Sequence, residues 1–152
     1  IIDSVISLKE SKNYLFPILY ERVNRLNDIK DTNDFKTFLV NFKRLNNIIK
    51  SNKLLDISNV KLNIHLFESS EEEEIYNKSK NLDVNLKKYL TDLEHQGIIL
   101  KEIINLHYII DSFFEKIIVN HEDKKIKINR IKLLQELTER ILKFSNFHYI
   151  EN

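Results

Sequence analysis

The chain has 152 residues and a formal net charge of +1, with 42% hydrophobic and 31% charged residues, which is the balance of a folded domain and not of a disordered tail. Without Cys it can hold no disulfide, thiolate nucleophile or Cys-ligated zinc. One Gly (Gly97) and one Pro (Pro17) cannot supply the turns of a small sandwich or barrel, so long helices are expected, in a single domain over residues 1–152.

In chain order, Ile1, Ile2, Val5 and Ile6 read as the tail of a helix, and the start at Ile1 in a chain without Met is what a piece of a longer protein would show. Leu15, Phe16, Leu19, Val23, Leu26 and Ile29 recur at helical spacing and predict a helix over Tyr14–Asp28, with Pro17 in its first turn, where the missing donor is harmless. Thr32 suits an N-cap and Asp34 the positive helix end; Phe35, Phe38, Leu39, Phe42, Leu45 and Ile49 then form the apolar stripe of a helix ending near Lys50. Residues 51–63 read as a loop whose Leu54, Leu55, Ile57 and Val60 pack back onto the body.

Ser70 and Glu73 have capping-box spacing, and Glu71–Glu74 suit the first turn of a solvated helix start. Ile75, Leu82, Leu86, Leu90 and Leu93 continue that helix toward Gly97, the residue best able to take a left-handed position after a helix end. From Ile98 to Val119 apolar residues crowd nearly every turn, as in a helix buried on most sides. Residues 120–123 make a turn, and Ile126, Ile131, Leu134, Leu137, Ile141 and Phe144 mark a last amphipathic helix. The fold class is all-α, an antiparallel helical bundle of about five helices with short connections.

The charge is unevenly spread. Residues 1–65 carry eleven Lys/Arg against seven Asp/Glu, residues 66–100 four against eight, and residues 101–152 nine against eight. The first third is therefore mildly basic and the middle third acidic.

The usual catalytic constellations are missing. A lone Gly97 makes no Gly-rich phosphate cradle. His65, His95, His107, His121 and His148 lack the i, i+4 pairing of a helical zinc site and read as partly exposed or core-edge residues. Asp111 and Glu115 share a helical face, either as paired carboxylates near a substrate or as solvated ion-pair partners. No catalytic residue, metal ligand or cofactor is assigned, and no apolar run reaches the roughly 20 residues of a membrane span. These features describe a binding or interaction module.

Three stretches, in order, resemble the C-terminal region of the bacterial-type glycyl-tRNA synthetase beta subunit. They are Asn41-Phe42-Lys43-Arg44-Leu45-Asn46-Asn47-Ile48-Ile49-Lys50; Leu66-Phe67-Glu68 followed by Glu72 or Glu73, Ile75 and Tyr76; and Ile110-Asp111-Ser112-Phe113-Phe114-Glu115-Lys116-Ile117-Ile118-Val119, then Asp123, then Asn129-Arg130-Ile131-Lys132-Leu133-Leu134. The opening Ile1-Ile2-Asp3-Ser4-Val5-Ile6 is similar to that family's I-D-A-V-L helix. Departures are Asn120 for a usual Met, Lys127 for the first Arg of the last motif, and Ile131 for Leu. Lys127 weakens a bidentate phosphate contact, because an ammonium does not reproduce a guanidinium fork.

The resemblance implies an all-helical, DALR-like anticodon-binding domain, shared more distantly with arginyl-tRNA synthetase. It implies tRNA for glycine as partner, together with the remainder of the beta subunit and a separate alpha subunit that carries most of the aminoacylation site. ATP and magnesium are implied for the parent enzyme and none for this fragment; the implied compartment is the cytoplasm, with an organelle as the alternative.

Unpaired anticodon bases are read on aromatic or guanidinium faces and by hydrogen bonds to their edges, while Lys and Arg hold phosphates. Two groups of residues fit that chemistry: Lys43, Arg44, Asn47 and Lys50 opposite the Phe38–Phe42–Leu45 stripe, and Lys127, Asn129, Arg130 and Lys132 near the start of the last helix. Arg44 and Arg130 are alternatively structural, pairing with Asp111 or Glu115, and Phe113 and Phe114 read as core. Two other identities compete: the equivalent domain of an arginine-type synthetase, whose family closes on a Leu-Gly-Ile type tail where this chain ends Phe147-His148-Tyr149-Ile150-Glu151-Asn152, and a helical subunit-interaction module with an exposed apolar patch and no salt-dependent RNA binding.

Overall fold

The computed structural model describes residues 1–6, 16–53, 55 and 57–150. The described residues form six α-helices: α1 (Ile2–Ile6), α2 (Phe16–Ile29), α3 (Asn33–Ser51), α4 (Ser70–Tyr89), α5 (Gln96–Lys116) and α6 (Lys124–Phe144), with 3₁₀ turns at Ile64–Leu66 and Phe147–Tyr149. The all-α class stands as expected. Of the sequence expectations, Tyr14, Leu15 and Leu54 lie outside the described residues.

Helix α3 begins where its cap predicts, with the Thr32 hydroxyl accepting from the Phe35 N–H at 3.3 Å. The start of α4 differs by one residue from the sequence reading. Ser69, not Ser70, is the N-cap, accepting from Glu72 N–H at 3.3 Å, and Glu72 accepts the Glu68 N–H at 2.8 Å. Both registers satisfy the capping pattern, and Glu72 wins because its carboxylate is fully buried against α6.

Gly97 does not end α4. It lies in the first turn of α5 with no positive φ, and a Cβ there would meet Arg25 Nε at 3.4 Å, so the residue accommodates a close approach of α2. The end of α4 is closed instead by side chains. Gln96 Nε2 donates to the Leu90 and Asp92 carbonyls at 3.1 and 2.5 Å, and Arg22, wholly buried, donates to Gln96 Oε1 at 2.7 Å, Leu90 O at 2.5 Å and Phe144 O at 3.3 Å. One guanidinium thus meets carbonyls at the C-terminal ends of both α4 and α6, where the helix dipole favours positive charge.

Around the axis, α3 packs on α5, α5 on α4, α4 on α6 and α6 on α3, while α2 lies against α5. From α3 onward consecutive helices alternate in direction, so helices two apart run parallel: Glu72–Arg130, Ser79–Arg140 and Asp83–Lys143 pair α4 with α6 in increasing order on both, and Asp34–His107 and Arg44–Phe114 pair α3 with α5 likewise. The antiparallel bundle of the sequence reading therefore contains two parallel contacts, α3 on α5 and α4 on α6. Because α3 and α4 are not principal neighbours, the described residues 57–69 lead across the bundle toward the start of α4.

The core is continuous. Helix α5 buries Ile99, Leu100, Ile103, Ile104, Leu106, Ile109, Ile110, Phe113 and Phe114, as its crowded sequence predicts. After α6, the chain folds Phe147 back onto α3, its ring centroid 6.4, 5.0 and 5.7 Å from those of Phe35, Phe38 and Phe42. Phe147→Ala removes that buried ring and leaves a cavity, and should lower unfolding free energy by about 3–5 kcal/mol in denaturant titration; an unchanged midpoint would show that the terminal turn is not part of the core.

Candidate nucleic-acid interface

The two groups of sequence candidates are placed differently. On α3, Lys43, Arg44, Asn47 and Lys50 are all exposed, opposite the buried Phe38, Phe42 and Leu45. Lys36, Val40, Lys43, Asn47 and Lys50 follow one another at alternating spacings of four and three residues, which lines them along one side of a helix. From Phe35 to Leu55 there are five cations and no carboxylate. None of Lys36, Lys43, Arg44 and Lys50 forms an ion pair among the described residues.

Arg44 instead lays its guanidinium over the Phe114 ring at 4.1 Å from the centroid, a contact worth about 0.5–1 kcal/mol at an exposed site. That replaces the pairing with Asp111 or Glu115 weighed from sequence. On another flank, the His148 ring approaches Phe42 at 5.1 Å. Its imidazole takes up a proton less readily than usual, because burial disfavours the cation and Lys50 adds a like charge.

On α6 the second group splits. Asn129 and Arg130 turn inward and are buried. Asn129 grips the backbone of Asn63 from both sides, its Oδ1 accepting the N–H at 2.8 Å and its Nδ2 donating to the carbonyl at 2.9 Å. Arg130 donates to Glu72 Oε1 at 3.0 Å, Glu68 Oε2 at 2.8 Å and Ile118 O at 3.1 Å. These groups are spent inside the protein, so Asn129 and Arg130 are not available as an exposed RNA-contacting face; the structural alternative holds for Arg130, with Glu68 and Glu72 as partners in place of Asp111 or Glu115.

Lys127 and Lys132 are half-buried. Lys132 lines a shallow recess with Asp83, Glu136, Glu139, Arg140 and Lys143, where neighbouring carboxylates offset its charge. Asp83 there is held below the ordinary carboxylate range by the hydrogen bond from Lys87 and the charges of Lys143 and Arg140. A helical-wheel signal separates the groups in retrospect: Arg130 shares the spacing of Leu134, Leu137, Ile141 and Phe144, all buried, whereas Lys43 and Lys50 lie off the apolar stripe of α3.

The other residues weighed from the sequence lie elsewhere in the bundle. Phe113 and Phe114 are core. His107 is buried, with Nε2 and Nδ1 each 3.8 Å from a carboxylate oxygen of Asp34 and Asp111. Glu71 is kept ionised by its contact with Lys116, so part of the acidic start of α4 serves to join α4 to α5. No cluster of three or more His, Asp or Glu that could hold a metal ion occurs among the described residues, and none of the described helices is long and apolar enough to cross a membrane.

A family model described as the DALR anticodon binding domain matches residues 38–145, from within α3 to the end of α6. The chain is 29% identical over 150 residues to the glycine–tRNA ligase beta subunit of Buchnera aphidicola subsp. Schizaphis graminum, covering 99% of this chain and 20% of that protein. It is 34% identical over 124 residues to that of Thermodesulfovibrio yellowstonii (80% and 17% covered) and 30% identical over 147 residues to that of a Sulfurihydrogenibium species (97% and 20%). The chain thus spans about a fifth of the length of these relatives.

Two predictions follow from the site geometry. Arg130→Ala strands the buried Glu72 carboxylate and should cost about 3–5 kcal/mol of stability, most of it recovered when Glu72 is also made apolar (Arg130→Met with Glu72→Met); denaturant midpoints of the three proteins decide this. Lys50→Gln should raise the pKa of His148 toward 6.5 in an NMR titration. In the parent chain the depressed value means that the unfolded state protonates first, so this residue's contribution is complete above pH 6.5 and falls as pH drops through the folded value.

Proposed function

The chain belongs to the DALR anticodon-binding domain family, and from that membership we propose that it is the tRNA-gripping, non-catalytic domain of a glycine–tRNA ligase beta subunit, reading the anticodon of glycine tRNA in the cytoplasm. The parent would attach glycine to its tRNA with ATP and magnesium, at a site lying mainly on a separate alpha subunit, and neither group is assigned to residues of this chain. The domain's part is to hold the tRNA far from the chemistry.

The observation that carries the reading is the unneutralised stripe of α3. Lys43 and Lys50 stand exposed on one side of a helix with no ion pair among the described residues, Asn47 lies between them, and the Arg44 guanidinium sits over the Phe114 ring beside them. Cations hold phosphates, an amide both donates to and accepts from base edges, and a guanidinium can stack on a base. Lys127 and Lys132 are secondary phosphate contacts in this reading. Asn129 and Arg130 contribute by fixing the scaffold.

A second reading, contact with another part of the same enzyme, draws on Phe16 and Tyr20 of α2, which stack at 6.4 Å while 78% and 59% exposed. Apolar surface of this kind is more usual at an interface than facing solvent. The two readings concern different faces and are separable.

Titration of the chain with glycine tRNA at low and physiological salt tests the first. Binding should weaken as salt rises and should be tighter than to the same tRNA with a changed anticodon. Lys43→Glu with Lys50→Glu should lower affinity by about tenfold or more and flatten the slope of log affinity against log salt by about 1–2. Equal binding to both tRNAs, unaffected by the charge reversal, would remove α3 from the interface and leave the subunit-contact reading.

A further inference from the structure

Beside the α3 stripe the chain's last turn builds a second surface. After Ser145 the 3₁₀ turn Phe147–Tyr149 lies along α3, anchored by Phe147 in the core and by the Asn146 N–H donating to Ser4 O at 2.7 Å. The turn is therefore fixed, and its two following side chains are positioned by it. His148 lies at the level of Phe42, and Tyr149 lies lower, at the level of Phe35 and Leu39.

Tyr149 is 56% exposed and forms no ring pair among the described residues. It lines a recess of about 370 Å³ whose other residues include Ile1, Lys30, Asp31, Lys36, Leu39 and Ile150. Lys36 is the first member of the α3 stripe, so the recess and the stripe are one continuous surface. Lys30 and Lys36 set two ammonium groups beside the Asp31 carboxylate in its lining, and its volume is within the range of small-ligand sites. An exposed aromatic ring on a rigid turn, next to lysines and over an aliphatic floor, is the chemistry of a stacking platform for an unpaired base.

We propose that Tyr149 stacks one unpaired base of a single-stranded RNA loop whose flanking phosphates rest on Lys30 and Lys36. This deepens the proposed tRNA-binding function and rests on it. In this arrangement the stripe from Lys43 to Lys50 carries the neighbouring backbone, and Tyr149 and Arg44, on opposite sides of α3, bracket the loop. Asp31 discourages a phosphate at one edge of the recess and so helps to set which nucleotide enters. The phenol ring is needed for its face, not its hydroxyl.

The test uses a glycine tRNA anticodon stem-loop carrying 2-aminopurine at successive loop positions, titrated into the 152-residue chain. At one position the fluorescence should be quenched on binding. Tyr149→Ala should abolish that quenching and weaken binding about 5- to 100-fold, the range of a lost base–aromatic stack, while Tyr149→Phe retains both. Lys36→Gln should weaken binding of the same loop and reduce its salt dependence. Since Tyr149 is exposed, thermal melts of the variants should match the parent and exclude unfolding as the cause.

If the parent chain binds the stem-loop and Tyr149→Ala binds equally well, the platform is overturned and the tRNA-binding reading stands. If Tyr149→Phe loses as much as Tyr149→Ala, the contact is a hydroxyl hydrogen bond and stacking is overturned. If the parent chain binds neither the stem-loop nor whole tRNA, the underlying reading fails, and the platform with it.

Discussion

The buried ion pair of Arg130 with Glu72, extended to Glu68, is the interaction on which the placement of the other elements depends. A guanidinium that is 5% exposed and a carboxylate that is wholly buried have both lost their water, and such groups are tolerated only when nearly every donor and acceptor finds a partner. Here they do. Arg130 reaches Glu68 before α4, Glu72 in its first turn and the Ile118 carbonyl after α5, while Glu72 also accepts the Glu68 N–H. One planar fork therefore joins the start of α6 to the start of α4 and to the α5–α6 connection. An ammonium could not span those directions.

Asn129, the preceding residue, extends the same junction by holding Asn63 through both its backbone groups. Between them the two residues pin both ends of the segment from Asn63 to Glu72, which would otherwise be a long crossing with little secondary structure. Arg22 does a corresponding job at the far end of the bundle. It meets Leu90 O and Phe144 O, so α4 and α6 are joined by buried guanidinium groups at both their starts and their ends. Parallel helices have their like dipole ends side by side, and a positive charge set between two C-terminal ends and a carboxylate near two N-terminal ends relieve that repulsion. The α4–α6 pairing is thus held by polar contacts at its ends as well as by apolar contact along its length.

Much of this fold was legible. The helices α3, α5 and α6 follow from apolar spacing and from the Thr32 cap, since both are properties of residues a few positions apart. What escaped depends on partners far along the chain. Whether Ser69 or Ser70 caps α4 is decided by Glu72 meeting Arg130, 58 residues on, and Gly97 was misread because α4 is closed by Gln96 and Arg22 instead of by a left-handed residue. The candidate site was half legible for a related reason. Amide and guanidinium groups serve RNA edges and buried networks equally well, so residue type alone could not separate Arg44 from Arg130. Position on the wheel could: Arg130 and Arg22 both sit in register with buried apolar residues of their helices.

The same distinction explains why a net charge of +1 understates what this surface offers a polyanion. Charge acts through where it is left uncompensated, not through its sum. Four of the eight carboxylates of residues 66–100 are engaged by cations of other elements: Glu68 and Glu72 by Arg130, Glu71 by Lys116, Asp83 by Arg140 and Lys143. Those pairs cancel locally and fix helix to helix. The cations of α3 form no ion pair among the described residues, and no carboxylate occurs from Phe35 to Leu55. Folding therefore ties half of the acidic segment's carboxylates into pairs between elements and leaves Lys36, Lys43, Arg44 and Lys50 of α3 exposed along one helix edge. That edge gains nothing in stability from its own like charges, which repel one another, so an anionic partner could neutralise it without breaking any ion pair that holds the fold.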